Sequence, residues 1–348
     1  MVNEDAVRQA LASVKYPGYT RDIVSFGLVK GIDIVSGDVT VKIQIATRDS
    51  AIPEQVHRDV TAALSKIEGI SSAKIDFDIQ EPAAAPSGAG AIGKAVIPGV
   101  KNIIAVASGK GGVGKSTVSA NLAVALASSG ASVGLCDCDL YGPSMALMFG
   151  TDERPLATED NEIIPIIKHG VKLISMGFLL SDASPVIVRG PMATRYTQQF
   201  LQQVMWGDLD YLILDLPPGT GDIQLTIVQT VTVTGAVIVT TPQEVALIDA
   251  RKAVSMFAKV NVPILGIVEN MSYFRCPDTG KCYDIFGSGG GQKEAERLGV
   301  PLLGQIPIDI ATREGGDSGA PIALQSADSN EISASFASIA GKVAASVR

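Results

Sequence analysis

The chain has 348 residues, 46% of them hydrophobic, with a formal net charge of −8. That length suits two or three domains, and the acidic balance argues against a nucleic-acid partner held by a basic surface. No apolar run reaches the ~18–20 residues of a membrane span, and Met1-Val2-Asn3-Glu4-Asp5 lacks the regions of a signal peptide, so the expectation is a cytoplasmic chain. Its four cysteines are too few for a disulfide framework and read as metal-binding, catalytic or buried thiols.

Residues 1–80 predict a small α+β domain. Val7, Leu11 and Val14 fit one helix face, and Val56, Val60, Leu64 and Ile67 fit another. Val39, Val41, Ile43 and Ile45 alternate with polar residues, as do Ile75, Phe77 and Ile79, which is the period of half-buried strands. Residues 81–100 are rich in Ala, Pro and Gly and read as a linker. From residue 101 to 348, apolar runs near 103–107, 132–136, 172–176, 210–214, 236–240, 263–268 and 302–306 alternate with helical patterns. Strands without strict alternation belong to a parallel sheet covered on both faces, so the fold class is a doubly wound α/β domain.

Gly109-Lys110-Gly111-Gly112-Val113-Gly114-Lys115-Ser116-Thr117 fits G-x-x-x-x-G-K-[ST], the phosphate-binding loop. It follows the apolar run 103–107 and leads into a helical pattern, the setting the motif requires. Its glycines let successive N–H groups curl toward phosphate oxygens, and the helix start adds its dipole. Lys115 is placed to reach the terminal phosphates and Ser116 to hold Mg²⁺. Tyr211-Leu212-Ile213-Leu214-Asp215 is an apolar strand ending in an acid, the pattern of a carboxylate that supports Mg²⁺ through its water shell. A second strand ends in Cys136-Asp137-Cys138-Asp139, beside the loop in such sheets. On a strand the two thiols share a face opposite Asp137, and packing is the reading for both.

The extra Lys110 makes the loop resemble the deviant P-loop of the dimeric ATPases that include ParA and MinD. The blocks Asp139-Leu140-Tyr141-Gly142-Pro143-Ser144, Arg189-Gly190-Pro191-Met192, Asp215–Asp222, Thr241-Pro242-Gln243-Glu244 and Glu269-Asn270-Met271-Ser272-Tyr273-Phe274 narrow this to a resemblance to the Mrp/ApbC iron–sulfur cluster carrier ATPases. The segment Arg21–Val29 is similar to the MIP18-like domain that precedes them. The resemblance implies a homodimer that hydrolyses ATP, with Lys110 reaching the partner's nucleotide, Asp139 orienting water and Asn270 reading the adenine edge. It also implies a [4Fe–4S] cluster bridging two subunits, with apo iron–sulfur proteins and assembly factors as partners.

In that family the cluster thiolates have C-x-x-C spacing just after the Asn-Met-Ser block. Here Cys276 keeps its place, Thr279 stands three residues on, and the next thiol is Cys282. Gly280 is the residue able to fold the loop so that both sulfurs converge as metal ligands; zinc binding, or no metal at all, stays open. The small domain shows Tyr16-Pro17-Gly18 where relatives have Asp-Pro-Glu, and no cysteine near 47–51, so docking is its expected role. His57 and His169 read as surface or capping residues, and Ile332, Phe336, Ile339 and Val343 as a core-packing helix face. The competing reading is a ParA/MinD-like dimerisation switch, or a partner-binding ATPase without a cluster.

Overall fold

The computed structural model describes residues 3–14, 22–24, 27–35, 37–46, 51–67, 69–70, 72–80, 95–139, 142–160, 162–175, 178 and 200–347. The blocks Arg189–Met192 and Tyr16–Gly18, and Leu140 and Tyr141, lie outside them. The chain forms two compact units, Met1–Ile92 and Gly93–Arg348.

In the first unit, α1 (Glu4–Leu11), β1 (Val29–Val35), β2 (Asp38–Ala46), α2 (Ala51–Leu64) and β3 (Ser72–Gln80) follow in order. β1 runs antiparallel to β2 and β3 parallel to it. Val39, Val41, Ile43 and Ile45 bury one face of β2 against Val7, Leu11, Val56, Val60 and Leu64. Apolar patterning missed β1, because Lys30-Gly31 puts Val29 out of phase with Ile32 and Ile34, and Val29/Gly31 carries a register shift.

The second unit begins earlier than the composition of 81–100 implies. Ala95 bridges Val231 and Ile97 is buried, so apolar anchoring overrides the linker-like sequence. Its strands are β4 (Val100–Ala107), β5 (Val133–Asp137), β6 (Leu156–Ala157), β7 (Ile163–Ile164), β8 (Ile166–Lys168), β9 (Val171–Ser175), β10 (Leu209–Asp215), β11 (Gly235–Thr240), β12 (Ile264–Arg275), β13 (Cys282–Tyr283) and β14 (Leu302–Ile308). Its helices among the described residues include α3 (Lys115–Ser128), α4 (Met145–Met148), α5 (Asp222–Thr230), α6 (Glu244–Lys259), α7 (Gly290–Leu298), α8 (Ile310–Ser318) and α9 (Glu331–Ser346).

The main sheet runs β13-β12-β11-β4-β10-β5-β9-β8, with β14 on β12. All pairings are parallel except β12/β13 and β8/β9. Along β4, Ile104 and Val106 join the core beneath α3 and α9, while Ile103, Ala105 and Ala107 join the opposite core beneath α5 and α6. Burial on both faces explains the unalternated apolar runs. α3 is buried nearly all round, from Lys115 to Leu126, and α9 packs Ile332, Phe336, Ile339 and Val343 into the same core. No helix among the described residues is long and apolar enough to cross a membrane.

Candidate nucleotide site and cysteine hairpin

The loop 108–114 leaves the end of β4 and enters α3 at Lys115, with Gly114 as N-cap at φ +78°. A Cβ on Gly114 would lie 2.1 Å from Asn270 Nδ2, and one on Gly109 would lie 2.1 Å from the Asp249 carbonyl, so both glycines are required by close approach. Gly111 and Gly112 are exposed, Val113 is buried, and Lys110, Ser116 and Thr117 are half-buried. Ser108 Oγ donates to the Lys110 carbonyl at 2.9 Å and its own carbonyl accepts from Gly219 N at 3.0 Å, tying the loop to the turn after β10.

Register places Asp215, at the end of β10, beside Val106 on one side and Asp137 on the other. Asp215 is fully buried, and three side chains from the first turns of α3 converge on it. Lys115 Nζ lies 2.5 Å from Oδ1, Ser119 Oγ donates to Oδ1 at 2.6 Å, and Ser116 Oγ donates to Oδ2 at 2.8 Å. Ser119 was not foreseen: its i+4 position on Lys115 is a helical-face signal that the motif does not encode.

Asp139, at the end of this segment, is half-buried, and its Oδ1 accepts from Gly142 N at 3.2 Å. The neighbouring Asp137 is the residue that sequence reasoning passed over. It is fully buried; Oδ1 accepts from Asp139 N at 3.1 Å, and Oδ2 accepts from Ser144 N at 3.0 Å, Met145 N at 3.2 Å and Ser175 Oγ at 2.8 Å. Burial, then the charge of Asp215, pushes its carboxyl up to about 7. The signal was present in the alternation: Cys136 and Cys138 do point together into the apolar core, which turns Asp137 to the other face. The Cys138 thiol is raised well above its usual range, first by its contact with Cys136 and then by burial, as expected of a packing thiol.

Asn270 lies on β12 and is 6% exposed, and Nδ2 donates to the Val113 carbonyl at 2.9 Å. The amide expected to face a base therefore also braces the phosphate loop. Five residues later β12 ends in a hairpin: Arg275 pairs with Cys282 and Phe274 with Tyr283. Inside it Cys276 N donates to the Lys281 carbonyl at 2.9 Å and Gly280 N to the Cys276 carbonyl at 2.8 Å, with Gly280 at φ +68°. Cys276 is half-buried and Cys282 exposed, both as free thiols. The Thr279 hydroxyl, then the amides of Thr279 and Asp278, hold the Cys276 thiol below its usual range. His169 bonds the Gly319 carbonyl at 2.9 Å, and in the first unit His57 is exposed beside Phe77.

Comparison with known proteins agrees with this geometry. Residues 99–344 match the family described as NUBPL iron-transfer P-loop NTPase, and residues 4–101 match the iron–sulfur cluster assembly protein family. An iron–sulfur cluster carrier protein of Deinococcus radiodurans is 48% identical over 92% of this chain and 89% of its own. One from Synechocystis is 44% identical over 99% of this chain and 98% of its own. Among solved structures, a nucleotide-binding protein of Archaeoglobus fulgidus in complex with ADP is 40% identical over 63% of this chain and 87% of its own, with TM-score 0.57. The cell division ATPase MinD of Pyrococcus furiosus is 25% identical over 70% of this chain and 98% of its own, with TM-score 0.54. The chain belongs to the NUBPL iron-transfer P-loop NTPase family and carries a domain of the iron–sulfur cluster assembly protein family ahead of its P-loop NTPase unit.

Proposed function

We propose that the protein is an ATP-hydrolysing carrier of iron–sulfur clusters that works as a homodimer and holds its cargo through Cys276 and Cys282. The observation that carries this reading is the hairpin at the end of β12, which presents Cys276 and Cys282 as free thiols. The Thr279 hydroxyl and the nearby amides of Thr279 and Asp278 draw the Cys276 thiol below its usual range, toward the thiolate, the form that ligates iron. The hairpin hangs from the strand that holds Asn270 against the phosphate loop.

Backbone N–H groups of residues 109–116 and the positive end of α3 suit ATP phosphates, and Lys115 neutralises them. The Ser116 hydroxyl and the Asp215 carboxyl form a hard oxygen pair that fits Mg²⁺, which would offset charge on the phosphates. Asp139 orients the attacking water, and Asp137 keeps its loop in place through the amides of Asp139, Ser144 and Met145. Lys110 reaches the nucleotide of the partner copy, and Asn270 Oδ1 meets the adenine amino group while Nδ2 stays on the loop. A four-iron cluster takes four thiolates. The hairpin offers two, and no group of three or more His, Cys, Asp or Glu able to hold a metal occurs among the described residues, so a second copy completes the ligand set. Recipients are apo iron–sulfur proteins.

The test is cluster delivery. Anaerobically reconstituted protein is mixed with an apo [4Fe–4S] ferredoxin, and the recipient's signal is followed. Transfer by wild type and none by Cys276→Ala supports the carrier. Nucleotide-driven dimerisation without iron uptake by wild type would support the ParA/MinD-like switch instead.

A further inference from the structure

β12 does not run straight from the phosphate loop to the cysteine hairpin. From Asn270 to Phe274 it runs four residues against two of β14, Ile306 to Ile308, so the strand bulges there. At the bulge Met271 adopts φ +55°, an αL conformation that a non-glycine residue holds only when its surroundings impose it. Glu269 supplies the imposition. Its carboxyl is fully buried; Oε1 accepts from Ser272 Oγ at 2.7 Å and from Gln305 Nε2 at 2.7 Å, while Oε2 accepts from Gly291 N in the first turn of α7. Ser272 Oγ also lies 3.0 Å from the Glu269 carbonyl, closing the turn around Met271. Gly291 is required, since a Cβ there would lie 2.8 Å from Glu269 Cβ.

Nothing in phosphate chemistry or thiolate chemistry calls for a buried acid at this point. The knot joins β12, β14 and α7, and its two β12 members, Glu269 and Ser272, bracket Asn270, which touches the phosphate loop, on the strand that leads to Cys276. Met271 Cε also lies 3.7 Å from the Cβ position of Gly114, so both residues at the bulge face the loop.

We infer that Glu269 is a positioning residue whose knot of hydrogen bonds makes the Asn270–Ser272 bulge a rigid lever, so that nucleotide on the phosphate loop changes the surroundings of the Cys276 thiol. A compliant bulge would absorb a shift of Asn270 within Met271 and Ser272. A bulge pinned by three donors to one side chain passes it to the hairpin, because the alternative is a buried acceptor without its partners. The inference rests on reading Cys276 as a cargo ligand, yet its consequence shows in the thiol itself.

The test uses the full-length, reduced, iron-free protein. Cys276 alkylation by iodoacetamide is followed by peptide mass spectrometry without nucleotide, with Mg-ADP and with a non-hydrolysable Mg-ATP analogue, with Cys282 as internal reference. Coupled sites typically differ about fivefold or more, so wild-type Cys276 is expected to change its rate by about that factor with the analogue. Glu269→Gln, and the milder Ser272→Ala should the first fail to fold, are expected to bring that ratio to about one while nucleotide affinity stays within about twofold. An unchanged ratio in a folded variant, or a wild-type rate indifferent to nucleotide, would overturn the lever. If the ratio behaves as expected but wild type takes up no iron, the carrier reading fails and the lever stands.

Discussion

Asn270 Nδ2 donates to the Val113 carbonyl at 2.9 Å and stands 2.1 Å from where a Cβ on Gly114 would be. One side chain thus keys into the turn that starts α3, and the loop closes only because Gly114 has no side chain. Gly114→Ala meets that amide and an unfavourable φ of +78° together. The expected outcome is a loss of about 1–3 kcal/mol of stability and of measurable nucleotide binding, read by calorimetric melting and titration.

The Lys115–Asp215 pair is almost completely buried, at 6% and 0% side-chain exposure. Removing one partner strands the other charge in the core. Lys115→Ala is expected to cost about 3–5 kcal/mol in denaturant titration, in addition to abolishing ATP turnover. Lys115→Ala combined with Asp215→Asn is expected to recover part of that stability and none of the turnover.

Asp137 makes the stability of the nucleotide-free protein fall with pH. Its carboxyl sits at about 7 in the fold, against about 4 in an unfolded chain. The folded state therefore binds the extra proton between those values. The contribution is present in full below pH about 4 and is lost as pH rises through about 7. Melting temperature is expected to drop between pH 5 and 8, with a slope of at most about 1.4 kcal/mol per pH unit from this group. Asp137→Asn is expected to flatten that slope in the same melting series.

Cys276 is expected to react with iodoacetamide ahead of Cys282 near neutral pH, although it is the less exposed of the two, because its thiol is drawn down by the Thr279 hydroxyl and the nearby amides. Thr279→Val is expected to slow Cys276 and leave Cys282 unchanged, measured by site-resolved mass spectrometry.

Local patterns carried much of the architecture. The apolar runs that become β4, β5, β9, β10, β11, β12 and β14 stand out because both faces of a parallel sheet are buried. The phosphate loop and the acid at the end of β10 stand out because their chemistry is contiguous in sequence. What stayed hidden depends on partners far along the chain. Glu269 reads as one polar residue of a family block, without a role of its own, until α7 and β14 bring Gly291 and Gln305 to it. Ser119 is ordinary helix sequence until Asp215 lies over it. Asp137 lost to Asp139 in the reading of the acidic pair because depth of burial, unlike alternation, is not visible in a short motif. The position three residues after Cys276, where a second ligand was sought, is Thr279, whose hydroxyl instead draws down the thiol of the first cysteine.

The central claim is that two copies of this chain share one cluster through their Cys276 hairpins. Native mass spectrometry of the anaerobically reconstituted protein reads assembly and iron in one spectrum. The account predicts a dimer with about four iron atoms per pair of chains and an iron-free spectrum for Cys276→Ala. A Cys276→Ala dimer carrying the same iron as wild type would contradict it.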